Sequence, residues 1–149
     1  MSNYIPETKT ERELTEELSN LLSGYHSLLF KLIKIAKKYD PNNEDIDWLQ
    51  SKASLARDID PLFIITKTKD KFWHFREQIL NKDLNFLMEY KFDKFIKNDH
   101  NKTWMYTMID LIKNKINDMS EEEKNYIWDI FKKILICVTK YKKIIGDYE

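Results

Sequence analysis

The apolar residues of this chain recur at intervals of three and four, the spacing of one face of an α-helix. The longest stripe lies in residues 10–39 and contains Leu14, Leu18, Leu21, Tyr25, Leu28, Leu32, Ile35 and Tyr39. Thr10 and Glu13 have the spacing of a capping box at its start. Proline disfavours a helical conformation in the residue before it, so Asp40-Pro41 ends the pattern. We therefore predict a long first helix.

Two helices are predicted between residues 44 and 80. The first spans residues 44–59, and its inward positions are Ile46, Leu49, Ala53, Ala56 and Ile59. The second spans residues 61–80, with Asp60 as N-cap and Pro61 at the first helical position. We expect a break in it near residues 67–70. Its apolar face continues through Phe72, Phe75, Ile79 and Leu80.

Three more helices are predicted in the rest of the chain. Two of them span residues 83–96 and 103–118, on either side of a polar loop. Ser120 and Glu123 form a capping box before the last helix, which extends to Ile145. The apolar stripe of this last helix is Ile127, Phe131, Ile134, Val138, Tyr141 and Ile145.

The composition agrees with a helical chain. Only 2 glycines and 3 prolines occur, which disfavours turn-rich β-sandwiches and nucleotide-binding folds with Gly-rich loops. The apolar fraction of 42% is sufficient for a hydrophobic core. We predict an all-α fold, with residues 1–149 forming one compact bundle of about six helices and the first and last helices central.

Charge and cysteine content set the expected environment. Basic and acidic residues number 25 each, without the basic excess that is typical of dedicated nucleic-acid binders. Cys137 is the single cysteine, so no intrachain disulfide is expected. The first residues lack a secretory pattern, and no apolar run approaches the roughly 20 residues that span a bilayer. An intracellular, cytoplasmic protein without a membrane partner is the expectation.

The residues that carry chemistry are scattered. His26, His74 and His100 lie far apart, and Asp70 shares a helix face with His74 without an evident third metal ligand. We interpret the histidines as surface or interfacial. Cys137 has apolar neighbours, which favours a buried, inert thiol. The paired carboxylates fall at helix starts and turns, where capping explains them. We predict no enzyme activity, no metal site and no cofactor.

One segment combines cations with aromatic rings. Lys67, Lys69, Lys71 and Arg76 are interleaved with three aromatic residues around Trp73. Such a pattern can hold single-stranded nucleic acid by phosphate contact and base stacking. The alternative is a helix that is buried on two sides and takes every ring into the core. As large aromatics in water often mark interfaces, we name as candidate interaction residues Trp73, Lys67, Lys69, Lys71, Arg76, Trp48 and Trp104.

Part of the chain resembles a known group of proteins. The carrying segments are residues 72–83 (FWHFREQILNKD), residues 109–113 (IDLIK) and residues 119–128 (MSEEEKNYIW). They are similar to small all-α proteins of large nucleocytoplasmic DNA viruses, or giant viruses, a group without an assigned activity. The resemblance covers residues 71–135 and does not extend to residues 1–70. It implies a viral protein from a virion or virus factory, located in the host cytoplasm or the virion, and it transfers no catalytic residue.

The leading functional hypothesis is a non-enzymatic helical protein that acts structurally or by protein–protein interaction. Its wide apolar stripes suit a protein partner or self-association into a homo-oligomer. One alternative is nucleic-acid binding through residues 67–76. Another, drawn by analogy of fold alone, is a viral helical-bundle modulator of host signalling or apoptosis.

Overall fold

A computed structural model describes residues 11–90 and 103–147 of the chain. In these two ranges the regular structure is helical throughout, which confirms the all-α prediction. The helices are α1 Glu11–Tyr39, α2 Glu44–Asp58, α3 Phe63–His74, α4 Arg76–Leu80, α5 Leu84–Glu89, α6 Trp104–Lys115 and α7 Glu121–Ile144, with a 3₁₀ turn at Ile116–Asp118. None of the described helices is both long and apolar enough to cross a membrane.

The two longest helices, α1 and α7, form the centre of the bundle, as predicted. Their mutual contact is the most extensive between any two described helices, and Leu32 of α1 and Ile134 of α7 are completely buried. Helices α2 and α6 pack on α1, and α3 packs on α7. Wide apolar faces on the two central helices are needed because each of them contacts several neighbours.

Short polar side chains cap three of the helices. Asn43 accepts a hydrogen bond from the Asp45 amide at 2.8 Å, and Asp83 accepts one from the Phe86 amide at 3.0 Å. Ser120 accepts one from the Glu123 amide at 3.1 Å, which is half of the predicted capping box. The Glu123 carboxylate instead bonds to Tyr39 and Lys38 at the end of α1. Its pKa is lowered, mainly by the Lys38 ammonium.

The structure differs from the helix predicted over residues 61–80 in where the helix begins and in where it breaks. Helix α3 begins at Phe63, after a turn in which the Asp60 carbonyl accepts from the Phe63 amide at 3.0 Å. Asp60 is therefore not its N-cap. Residues 67–70 stay helical, and the chain leaves the helical conformation at Phe75 (φ −95°, ψ 19°). The Arg76 guanidinium donates to the Trp73 carbonyl at 2.8 Å, which satisfies an acceptor at this break.

Three apolar residues that were predicted to face inward are exposed. Ile59, Leu80 and Ile145 are 74%, 55% and 46% exposed. All three lie at helix ends: Ile59 and Ile145 follow the last residues of α2 and α7, and Leu80 is the last residue of α4. A periodic stripe does not extend past the final turn, because the chain there no longer rotates by the helical angle.

Several predictions concern residues outside the two described ranges. Helix α5 occupies the first part of the segment predicted over residues 83–96, and residues 91–96 are not among the described ones. The polar loop, His100 and the Thr10 end of the first capping box also lie outside. The helix predicted over residues 103–118 is α6 followed by the 3₁₀ turn.

Candidate functional site

Helix α3 carries four of the candidate interaction residues on two opposite faces. Lys67 and Lys71 are four positions apart and line one face, beside an apolar cavity. Lys69 and Trp73 are also four positions apart, and they face the carboxyl end of α7. The helical rotation thus separates residues that are interleaved in sequence.

An ion cluster joins α3 to the end of α7. The Lys69 ammonium lies 2.7 Å from an Asp147 carboxylate oxygen and 3.1 Å from Asp70. The Lys142 ammonium lies 3.2 Å from Asp147 and 3.6 Å from Asp70, and this lysine is buried. The pKa of Lys69 is raised, chiefly by its hydrogen bond to Asp147. We call these four residues the ion cluster.

Trp73 is half-buried beside the ion cluster. Its ring has the Arg76 guanidinium 4.4 Å and the Lys142 ammonium 5.9 Å from its centroid. Contacts of this kind are cation–π interactions. Lys69, Trp73 and Arg76 are therefore engaged within the chain itself.

The cavity on the other face of α3 has a volume of about 90 Å³. It lies where α3, α6 and α7 meet the shorter helices, and its described wall is mainly aromatic and aliphatic. Phe72 and Phe131 pack edge to face with centroids 6.1 Å apart, and Phe75 and Phe86 lie 4.9 Å apart. The aromatic lining residues are Trp48, Phe63, Phe72, Phe75, Phe86, Trp104, Tyr106, Trp128 and Phe131.

The charged residues of the described cavity wall are both cations. Lys67 and Lys71 are exposed, so they border the opening, and the described wall contains no Asp or Glu. The Lys67 ammonium lies 5.4 Å from the centroid of the Phe63 ring. An apolar interior with a cationic rim results.

The other two tryptophans named from the sequence also line this cavity. Trp48 is half-buried. Trp104 is buried, and its indole N–H donates to the Leu49 carbonyl at 2.8 Å. This corrects the placement of Trp104 among the surface candidates: α6 directs the ring inward, and the Leu49 carbonyl satisfies its one polar group.

A second feature is an apolar corner at the turn between α2 and α3. Its members, Leu55, Ile59, Leu62 and Phe63, occur within nine residues and are between 38% and 74% exposed. The Ile59 amide donates to the Leu55 carbonyl at 2.8 Å, so these two side chains lie one helical turn apart. The other large exposed apolar residues of the described ranges are separated from one another in sequence: Leu80, Tyr126, Ile136 and Ile145.

The chemically reactive side chains do not converge. His26 is buried, which corrects its interpretation as a surface or interfacial residue, and its Nε2 has no hydrogen-bond partner in the described part of the chain. Burial lowers the pKa of His26 and raises the pKa of the half-buried Cys137 thiol. His74 is exposed and packs against the Phe75 ring. Within the described ranges no group of three His, Cys, Asp or Glu residues could hold a metal ion.

Sequence reasoning identified the cations and tryptophans and missed the cavity and the apolar corner. The cavity is formed by helices that are distant in sequence, so no local pattern marks it. The corner had a local signal in Leu62-Phe63 directly after Pro61, but these two residues were predicted only as part of the helix over residues 61–80.

No family model, curated protein or solved structure matches this chain.

Proposed function

We propose that this chain is a non-enzymatic interaction protein that binds a protein partner, or a second copy of itself, through the apolar corner. The observation that carries the proposal is the concentration of four large exposed apolar side chains at one turn. Single exposed apolar residues are ordinary on a protein surface, whereas a cluster of them is typical of an interface.

The surroundings of the corner also suit a protein contact. The Arg57 guanidinium lies 4.9 Å from the centroid of the Phe30 ring beside the corner, and Arg57 is paired with Asp58 at 2.9 Å. Interfaces combine an apolar centre with a polar rim, and arginine is more frequent in interfaces than on the rest of the protein surface. Leu55, Ile59 and Leu62 would form the centre of such a contact.

The proposal is tested with the double variant Ile59→Ser/Leu62→Ser and the control Leu80→Ser, since Leu80 is also exposed but belongs to α4 and not to the corner. Light scattering after size-exclusion chromatography measures self-association over a range of concentrations. Affinity capture from source-cell lysate, compared between variants, measures partner binding. We expect the double variant to lose the association or the captured partner and Leu80→Ser to retain it.

Two results would contradict this proposal. One is a wild-type chain that is strictly monomeric and captures no protein partner. The other is an association that persists unchanged in the double variant, with the helical circular dichroism of both variants equal to that of wild type.

Nucleic-acid binding through residues 67–76 stays a prediction. The internal contacts of Lys69, Trp73 and Arg76 count against it, whereas Lys67 and Lys71 remain exposed. A labelled single strand that is shifted at low salt and released steeply as salt rises would support it. The absence of a shift at low salt would remove it.

The remaining hypotheses also stay predictions. They are the giant-virus origin, the role as a modulator of host signalling or apoptosis, and the cytoplasmic location.

A further inference from the structure

We propose that the cavity beside α3 binds a small carboxylic acid, with a short aliphatic part inside the cavity and the carboxylate between Lys67 and Lys71. The proposal concerns a ligand site and does not rest on the proposed protein contact, although Phe63 belongs to both the cavity wall and the apolar corner.

The size of the cavity limits the ligand. Its volume is about 90 Å³. A water molecule occupies about 30 Å³ of liquid, and an apolar cavity of about 150 Å³ in another protein holds benzene. The space therefore accepts a few carbon atoms, and the head group of the ligand remains at the opening.

The wall favours carbon over water. A buried water needs two to four polar partners. Among the polar groups of the wall, the Thr68 hydroxyl already donates to the Ile64 carbonyl at 2.8 Å and accepts from Tyr25 at 3.0 Å. The buried Thr103 hydroxyl has no hydrogen-bond partner among the described residues, and by itself it offers a water too few partners. Nine of the 19 described lining residues are aromatic, so an apolar ligand gains contact area there.

The positive charge at the cavity opening favours a ligand with a negatively charged head group. Lys67 and Lys71 are one helical turn apart, close enough for one carboxylate to contact both ammonium groups. Neither lysine forms a salt bridge with a described residue, in contrast to Lys69 on the opposite face, which pairs with Asp147. The described wall has no carboxylate that would repel an anion.

The test uses sodium hexanoate as the probe, with hexan-1-ol as its neutral counterpart and acetate as the head group alone. Trp48, Trp104 and Trp128 line the cavity, so tryptophan fluorescence and amide NMR shifts report occupancy. We expect hexanoate to bind more tightly than hexan-1-ol, and acetate to cause no change at the same concentration.

Two variants assign the binding to the cavity. Lys67→Gln/Lys71→Gln should bind hexanoate about three- to twenty-fold more weakly, the size expected for two exposed charge contacts, and should bind hexan-1-ol unchanged. Lys34→Gln/Lys37→Gln, which removes two exposed lysines of α1 outside the cavity wall, should retain wild-type binding. Ile109→Phe places additional volume in the wall and should abolish binding of both probes.

The proposal is overturned if hexanoate binds no better than acetate, or if the Lys67/Lys71 variant binds it as tightly as wild type. Both lysines are exposed, so this variant should fold normally, and it decides the question alone if Ile109→Phe does not fold. Ile59 and Leu62 are intact in all of these variants, which keeps the outcome distinct from that of the proposed protein interaction.

Discussion

Two consecutive residues of α1, Tyr25 and His26, are both buried although they point in different directions. This arrangement is possible because α1 has neighbours on several sides. The polar atoms that they bring inside have different environments. The Tyr25 hydroxyl donates to Thr68 at 3.0 Å, whereas His26 Nε2 has no partner among the described residues. Each arrangement has a measurable consequence for stability.

The hydrogen bond between Tyr25 and Thr68 allows two free energies of unfolding to be compared. One variant removes a buried polar group, and the other leaves a buried polar group without its partner. Tyr25→Phe removes the hydroxyl while Thr68 still bonds to the Ile64 carbonyl, so we expect a loss of about 1 kcal/mol in the free energy of unfolding. Thr68→Val keeps the side-chain shape but leaves the Tyr25 hydroxyl buried without this acceptor, and should cost about 1–3 kcal/mol. Urea denaturation of both variants measures the difference. An equal or smaller cost for Thr68→Val would contradict the geometry.

His26 should make the protein less stable in mild acid. Burial, and secondarily the positive charge of Arg57, lower its pKa in the folded state, while a hydrogen bond to the Pro61 carbonyl acts in the opposite direction. The unfolded chain therefore binds a proton at a higher pH than the folded chain does. Stability is complete above about pH 6.5, the unfolded pKa of histidine, and declines as the pH falls through it.

Thermal unfolding of wild type and His26→Phe between about pH 7 and pH 5 measures this contribution. We expect the variant, which retains an aromatic ring beside Tyr25, to lose less stability over that range. His74→Gln is the control, because His74 is exposed and its replacement should leave the wild-type profile unchanged. Identical pH profiles for wild type and His26→Phe would refute the assignment.

At the scale of the elements, α3 lies between the cavity and the ion cluster. One face borders the cavity, and the other binds the end of α7 through Lys69 and Trp73. Asp147 is the common partner of Lys69 and the buried Lys142. The ion cluster thus holds the last described turn against α3, and its strength can be measured separately from the rest of the bundle.

Replacement of Asp147 by Asn should destabilise the protein by about 1–2 kcal/mol, because Lys142 is buried and loses its nearest carboxylate. The control is Asp58→Asn, which breaks the exposed pair with Arg57 and should leave stability essentially unchanged. Chemical denaturation compares the two. Equal effects would mean that the ion cluster contributes no more than an ordinary surface pair.

At the scale of the whole molecule, the arrangement around α1 and α7 brings the shorter helices into one hydrophobic cluster. Its members come from α1, α2, α3, α4, α5, α6 and α7, so each described helix has a part of its buried surface in common with the others. A structure of this kind has few contacts that could be lost independently of the remainder.

We therefore expect a single cooperative unfolding transition, as the prediction of one domain requires. Trp48, Trp73, Trp104 and Trp128 lie in α2, α3, α6 and α7, so tryptophan fluorescence reports on four helices, while circular dichroism at 222 nm reports on all of them. The two denaturation curves should coincide. Separate midpoints would show that part of the chain unfolds independently, against the single-domain prediction.

The local pattern of this sequence was sufficient for much of the fold. Apolar spacing identified every described helix except that α3 and α4 were predicted as one, and the Ser120 cap marked the start of α7. Such features depend on residues within a few positions of one another, which is why they can be recognised without the structure. The same reasoning failed at Ile59, Leu80 and Ile145, where a stripe was extended to the last residue of a helix or beyond it.

The candidate site could be predicted only in part from the local sequence pattern. Lys67, Lys69, Lys71, Trp73 and Arg76 were recognised as an unusual cluster, but their division between two faces depends on which helices pack on each side of α3. The burial of Trp104 depends on the Leu49 carbonyl of another helix. Helices α6 and α7, which pack on α3, are distant from it in sequence, and Leu49 is distant in sequence from Trp104.

The sequence by itself determined that this chain is helical, where most of its helices begin and end, and which residues could form its core. Only the tertiary structure decided which apolar residues remain outside at the corner, which lysines are paired and which border the cavity. The physical reason is range: helical periodicity and capping are short-range properties of the chain, whereas a cavity, a buried ion cluster and an exposed apolar corner exist only after distant helices have packed together.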